Sequence, residues 1–185
     1  TDRLSDIAVL YRTNSQSRAI EEALIANGIS YKMVGGLKFY DRKEIKDLIA
    51  YLKLLYNPHD SQSLKRIINV PKRSIGNTAV QNIEKIADEN NLSLFEVMSD
   101  IDSYEEVKAA AKSKLKEFVN LYASLAEKKN ALPLPEFIAT VIEDSGYLSE
   151  LKEEDTEESQ SRIENLQELI NVAREFQPDE PENVL

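Results

Sequence analysis

The 185-residue chain contains no cysteine and a single histidine, His59. Without cysteine there is neither a disulfide framework nor a thiolate zinc site, and such a chain suits a reducing cytoplasm. One histidine also excludes a histidine-rich metal centre. Long apolar runs are missing: nothing approaches the roughly 20 residues of a membrane span. The first ten residues are charged at Asp2, Arg3 and Asp6 and carry no initiator Met. They read as neither a signal peptide nor a native start, as expected of a piece of a longer chain. No Gly-x-x-x-x-Gly-Lys-Ser/Thr loop occurs, so a nucleoside triphosphate is not cradled in that way. His59 stands in a proline-broken turn with nothing to orient it beside a nucleophile. Glu153, Glu154, Asp155, Glu157 and Glu158 form a solvated acidic run, not an acid–base or metal cluster. Taken alone, the chain does not read as catalytic.

What is present is charge, unevenly spread. The net charge of −10 hides 13 Lys and Arg against 8 Asp and Glu in residues 1–76, then 10 against 25 in residues 77–185. The first part is therefore basic and the second strongly acidic. Screening at physiological salt confines a surface field to about 8 Å, so a basic region on an acidic chain still attracts phosphate.

Ile7 to Leu10 is a continuous apolar run of the kind found in a strand buried on both faces. A polar stretch from Tyr11 to Arg18 follows, then helical spacing at Ile20, Ala23 and Leu24 up to Gly28, then a second apolar segment from Ile29 to Val34. This predicts a βαβ-like unit, with its polar loop at the sheet edge where ligands gather. From Asp41 the apolar residues Ile45, Leu48, Ile49, Leu52 and Leu55 mark a helix, with Asp41 as N-cap and Glu44 completing a capping box. Arg42, Lys43, Lys46 and Lys53 then form its basic edge. Pro58 breaks the pattern. A short helix capped by Asp60 or Ser61 runs through Leu64 and Ile67, the basic loop Pro71–Gly76 follows, and Asn77 or Thr78 caps the next helix. Two helices joined by such a loop form a helix-hairpin-helix-like element, whose free amides suit a phosphate. The remainder reads as helices, apart from an exposed acidic loop over 152–161 and a tail over 178–183.

Three segments carry a resemblance. Ile7-Ala8-Val9-Leu10-Tyr11-Arg12-Thr13-Asn14-Ser15-Gln16-Ser17-Arg18 resembles a motif in the second RecA-like domain of the superfamily 1 DNA helicases of the UvrD/Rep family, PcrA type. Gly35-Gly36-Leu37-Lys38-Phe39-Tyr40-Asp41-Arg42-Lys43-Glu44-Ile45-Lys46-Asp47 and Ile67-Ile68-Asn69-Val70-Pro71-Lys72-Arg73-Ser74-Ile75-Gly76 are similar to the next two motifs, in the same order. The segment Arg162 to Leu169 is similar to the one leading back to the RecA-like core.

The resemblance implies an internal piece of a 3′-to-5′ ATP-dependent DNA helicase of repair and plasmid or rolling-circle replication, in the cytoplasm. The implied fold is mixed α/β and mainly α: a partial RecA-like unit over 1–55, an all-helical 2B domain over 56–176, and a tail over 177–185. ATP and magnesium would belong to the parent protein, with no cofactor and no catalytic residue in this piece. By motif, Arg12 and Asn14 would hold the single-strand backbone. Lys46, Lys72, Arg73, Gly76 and Thr78 would grip the duplex. DNA is the implied partner, with repair or replication proteins besides and no membrane. A regulatory, protein-binding module without DNA affinity is the alternative. One departure stands out: Ser74 occupies a place where the family usually has glycine, so a positive φ there would be strained.

Overall fold

The computed structural model describes residues 3–176; the tail over 177–185 lies outside them. Among the described residues there are nine α-helices: α1 (Ser17–Ala26), α2 (Lys43–Tyr56), α3 (Ser61–Ile67), α4 (Asn77–Asn90), α5 (Leu94–Ser99), α6 (Ala109–Lys129), α7 (Leu134–Asp144), α8 (Tyr147–Glu154) and α9 (Glu157–Glu175). None is long and apolar enough to cross a membrane.

The expected strands are not formed among the described residues. Ile7–Leu10 and Ile29–Val34 run without regular structure, and Ile7, Val9, Leu10 and Val34 face solvent, Leu10 with 93 % of its surface. A strand exists only through ladder hydrogen bonds to a neighbour, and the apolar run has none here to bury it. Just past the first segment, the Tyr11 hydroxyl donates to Met33 Sδ of the second at 2.9 Å. The chain is thus mainly α.

Between the two segments, α1 ends as the sequence predicts. Gly28 takes φ +65°, its amide reaches Ile25 O at 3.0 Å, and the amide of Ile29 reaches Leu24 O at 2.8 Å. This paired closure satisfies the orphan carbonyls of the last turn. The buried residues of α1 are Ser17, Arg18 and Glu21, all polar. Arg18 reaches Glu168 and Glu175 of α9 at 2.7 and 3.1 Å, so α1 is moored by charge.

The apolar core begins at Phe39. The central helix α2 buries Ile45, Leu48, Tyr51, Leu54 and Leu55 against α3, α6, α7 and α9. Its start differs from expectation. The helix begins at Lys43 with Arg42 at the N-cap and no side-chain cap. Asp41 instead pairs with Lys46 at 2.8 Å, and Glu44 turns inward to accept from Asn165 Nδ2 at 2.6 Å. A tertiary partner outcompetes the local cap. Arg42 leaves the expected basic edge as well and is buried. Its spacing explains why: it stands three residues before Ile45 and seven before Ile49, on the apolar stripe itself.

Two further details depart from the sequence reading. The run over 152–161 is helical on both sides of a single left-handed residue, Asp155, at φ +44°. Thr156 then caps α9 in a box with Ser159, so the acidic residues decorate helix surfaces. Gly76, not Asn77 or Thr78, is the N-cap of α4. Asp60 does cap α3, accepting from the Ser63 amide at 3.0 Å.

Asp47 is the buried anchor below α2. It receives Arg66 Nε of α3 at 2.7 Å and the Tyr147 hydroxyl of α8 at 3.2 Å. Burial pushes its carboxyl up, with Arg66 opposing, and the phenol of Tyr147 is held protonated by burial and by Asp47. One carboxyl thus joins three helices.

Candidate nucleic-acid interface

The first group of candidate residues lies on the turn that leads into α1. Gln16 Oε1 accepts from the amides of Arg12 and Thr13 at 2.9 and 3.2 Å, which closes the turn locally. Arg12 and Asn14 are exposed upon it. From beneath, Arg42 donates to the Asn14 carbonyl at 2.7 Å, to Ser17 Oγ at 2.8 Å and to Asn165 Oδ1 at 2.7 Å. Burying a guanidinium is costly unless its donors are met, and here carbonyl, hydroxyl and amide oxygens meet them. Asn14 Nδ2 also approaches Ser161 Oγ at 3.4 Å.

The turn forms one wall of an open groove of about 820 Å³; the junction of α8 and α9 forms the other. Arg12 faces Asp155, Glu157 and Glu164 across it, with Lys152 beside them on the α8–α9 wall. The groove is therefore mixed in charge.

The second group is built on the loop between α3 and α4. Asn69 grips the loop at Ile75 twice, accepting from its amide at 3.1 Å and donating to its carbonyl at 2.7 Å. Glu150 of α8 accepts from the Lys72 amide at 2.8 Å. Held by these contacts, the loop leaves Lys72, Gly76, Asn77 and Thr78 exposed. The first amides of α4 have no acceptor within the helix and carry the positive end of its dipole. A phosphate oxygen is a suitable acceptor for them. Lys46 is exposed on α2, its ammonium on Asp41. That contact holds the Asp41 carboxyl below its usual range.

Arg73 differs from its neighbours. Its guanidinium turns inward, donating to Ile67 O at 3.1 Å, Pro71 O at 3.2 Å, Ser145 O at 3.0 Å and the Tyr51 hydroxyl at 2.7 Å. Ser74 takes φ +58°, the left-handed backbone that favours glycine. The structure therefore brings Lys72, Gly76 and Thr78 together, sets Lys46 on the neighbouring α2, and places Arg12 and Asn14 on a separate turn. Asn69, Glu150 and Tyr51 were not singled out from sequence. Asn69 lies within a recognised motif, but nothing local in Tyr51 or Glu150 signals a partner some 20 or 80 residues away.

The family model of the UvrD-like helicase C-terminal domain matches residues 1–184. The chain belongs to this family. It is 43 % identical over 183 residues to the ATP-dependent DNA helicase PcrA of Bacillus subtilis (strain 168), a match covering 99 % of this chain and 25 % of that protein. It is 41 % identical over 179 residues to the ATP-dependent DNA helicase PcrA of Staphylococcus aureus (strain Mu50), covering 97 % and 24 %. The same identity and coverage hold for the PcrA of Staphylococcus epidermidis. This UvrD-like chain thus spans about a quarter of the length of the curated relatives it matches.

Proposed function

We propose that the chain is the DNA-gripping part of an ATP-dependent 3′-to-5′ DNA helicase of repair and plasmid replication, acting in the cytoplasm. Arg12 and Asn14 hold the single-strand backbone. Lys46, Lys72 and the Gly76–Thr78 turn hold the duplex ahead of the fork. The observation that carries this reading is the α3–α4 loop, which presents a lysine and the free amides of a helix start on one exposed surface, in a chain of helicase family. Contacts of this kind position a phosphate backbone and read no bases.

The absence of a Gly-x-x-x-x-Gly-Lys-Ser/Thr spacing from the sequence supports assigning ATP and magnesium to the rest of the parent protein. ATP hydrolysis is assigned there too. So are the strands that would pair with Ile7–Leu10 and Ile29–Val34 into a RecA-like sheet; the exposed Leu10 and Val34 support that pairing. The core that begins at Phe39 supports placing the start of the helical 2B domain ahead of α2, rather than after residue 55.

Fluorescence anisotropy on a labelled hairpin with a 3′ single-stranded tail, over a salt series, tests the reading. Each phosphate neutralised adds about 0.9 to the slope of log affinity against log salt, so a slope of a few units is expected. Lys46→Ala and Thr78→Ala should each weaken binding. Salt-independent binding, or no change in either variant, overturns the duplex assignment. Repair or replication proteins are the further partners of this reading, and capture of one by a chain with no DNA affinity would favour the regulatory-module alternative.

A further inference from the structure

Arg73 sits in a basic loop between two exposed neighbours, yet its charge faces the protein. Its donors reach carbonyls at the end of α3, within the loop at Pro71, and at the α7–α8 turn at Ser145. Its guanidinium carbon lies 5.3 Å from the centre of the Phe118 ring and 6.0 Å from that of Tyr51. Tyr51 accepts from Arg73. Burial pushes this phenol up, with the Arg73 charge opposing, and its hydroxyl donates onward to the Val70 carbonyl. Three separate backbone segments therefore close on one side chain. A planar fork of donors satisfies them at fixed angles, which a lysine ammonium does not.

Tyr51 belongs to α2, five residues beyond Lys46. Five residues turn a helix by about 140°, so the helix shows Lys46 to solvent and Tyr51 to the loop. The two exposed groups assigned to the duplex, Lys46 on α2 and Lys72 with the α4 start, are thus set by the same helix. A guanidinium committed to four acceptors has little left for a phosphate.

We propose that Arg73 and Tyr51 are positioning residues of the duplex interface: they hold the α3–α4 loop on α2 so that Lys72 and the Gly76–Thr78 amides meet the phosphate backbone in register with Lys46. The proposal rests on the functional reading above and removes Arg73 from the list of phosphate contacts.

The test compares Arg73→Gln, Arg73→Lys, Tyr51→Phe and Lys72→Ala in the whole chain, using a fluorescent duplex over a salt series together with amide exchange across Lys72–Thr78. Lys72→Ala should lower the salt slope by about 0.9 and leave exchange unchanged. Arg73→Gln and Arg73→Lys should both weaken binding about tenfold, and Tyr51→Phe about threefold. All three should keep the wild-type slope and speed exchange at Lys72–Thr78. If Arg73 itself touched phosphate, Arg73→Lys would retain binding and Arg73→Gln would lose about 0.9 of slope; that pattern overturns the proposal. Tyr51→Phe keeps the ring in the core, so it remains informative if the arginine variants fold poorly. Unaltered exchange in every variant overturns the proposal alone. Absence of duplex binding by the wild-type chain overturns the functional reading, and the duplex role of the loop with it.

Discussion

Arg42 donates to the side-chain oxygen of Asn165 at 2.7 Å, and the nitrogen of the same amide donates to Glu44 at 2.6 Å. One asparagine of α9 thereby joins an arginine and a glutamate that flank the first turn of α2, both buried. The same arginine supports the Asn14 turn and the start of α1. The joint between the N-terminal segment and the helical core is therefore a polar network in which each buried group has a partner.

Breaking that network at either end should be costly. Arg42→Ala leaves Asn165 Oδ1 and the Asn14 carbonyl short of donors, and a loss of about 3 kcal/mol is expected in urea unfolding. Asn165→Ala keeps both charges and removes the bridge, for about 2 kcal/mol. A loss below about 0.5 kcal/mol for both would show that the network contributes little to folding.

Ser74 holds a left-handed backbone with its side chain exposed. That conformation costs a non-glycine residue about 1–2 kcal/mol, while glycine adds entropy to the unfolded chain. Ser74→Gly should raise stability by up to about 1 kcal/mol, and Ser74→Val, branched beside the strained backbone, should lower it by more than about 1 kcal/mol. Thermal denaturation of the two variants should show melting temperatures displaced in opposite directions.

The cap of α3 should depend on pH. The hydroxyl of Ser63, then its amide, hold the Asp60 carboxyl below its ordinary value. A lowered folded pKa means that the contribution is complete above the unfolded carboxylate value near 3.9 and disappears as pH falls through the folded one. Asp60→Ala should therefore cost about 1 kcal/mol at neutral pH and almost nothing near pH 2. Equal losses at both pH values would contradict this.

Arg18 moors a helix that has no buried apolar residue of its own. Arg18→Ala removes the contacts to Glu168 and Glu175, so α1 should open locally while the core from Phe39 onward stays intact. Amide protection over Leu24–Gly28 should fall by about tenfold or more, equivalent to roughly 1.4 kcal/mol of local opening free energy, with little change at α2. Equal loss of protection in α2 would mean that the two parts unfold together.

The features legible in the sequence are those decided within a few residues. Gly28 closes α1, and Asp60 caps α3. The same holds for the apolar stripe of α2 and for the exposure of Lys46, Lys72 and Thr78. Asp41 fails as a cap because Lys46 takes its carboxylate and Glu44 is drawn to a residue 121 positions away. Ile7–Leu10 reads as a buried strand because composition registers hydrophobicity but cannot supply the neighbour that a strand requires.

By itself, the sequence determined most of the succession of helices, the closure of α1 and the cap of α3, the basic first part beside an acidic remainder, and the family, because each is written in local spacing or in short motifs. Only the tertiary structure decided which oxygens the inward-turned arginines meet. A guanidinium on a long apolar stem reaches water or protein equally well. For Arg42 and Arg73 the choice was made by oxygens of Asn165, Tyr51 and Ser145, and nothing in the neighbouring sequence announces them.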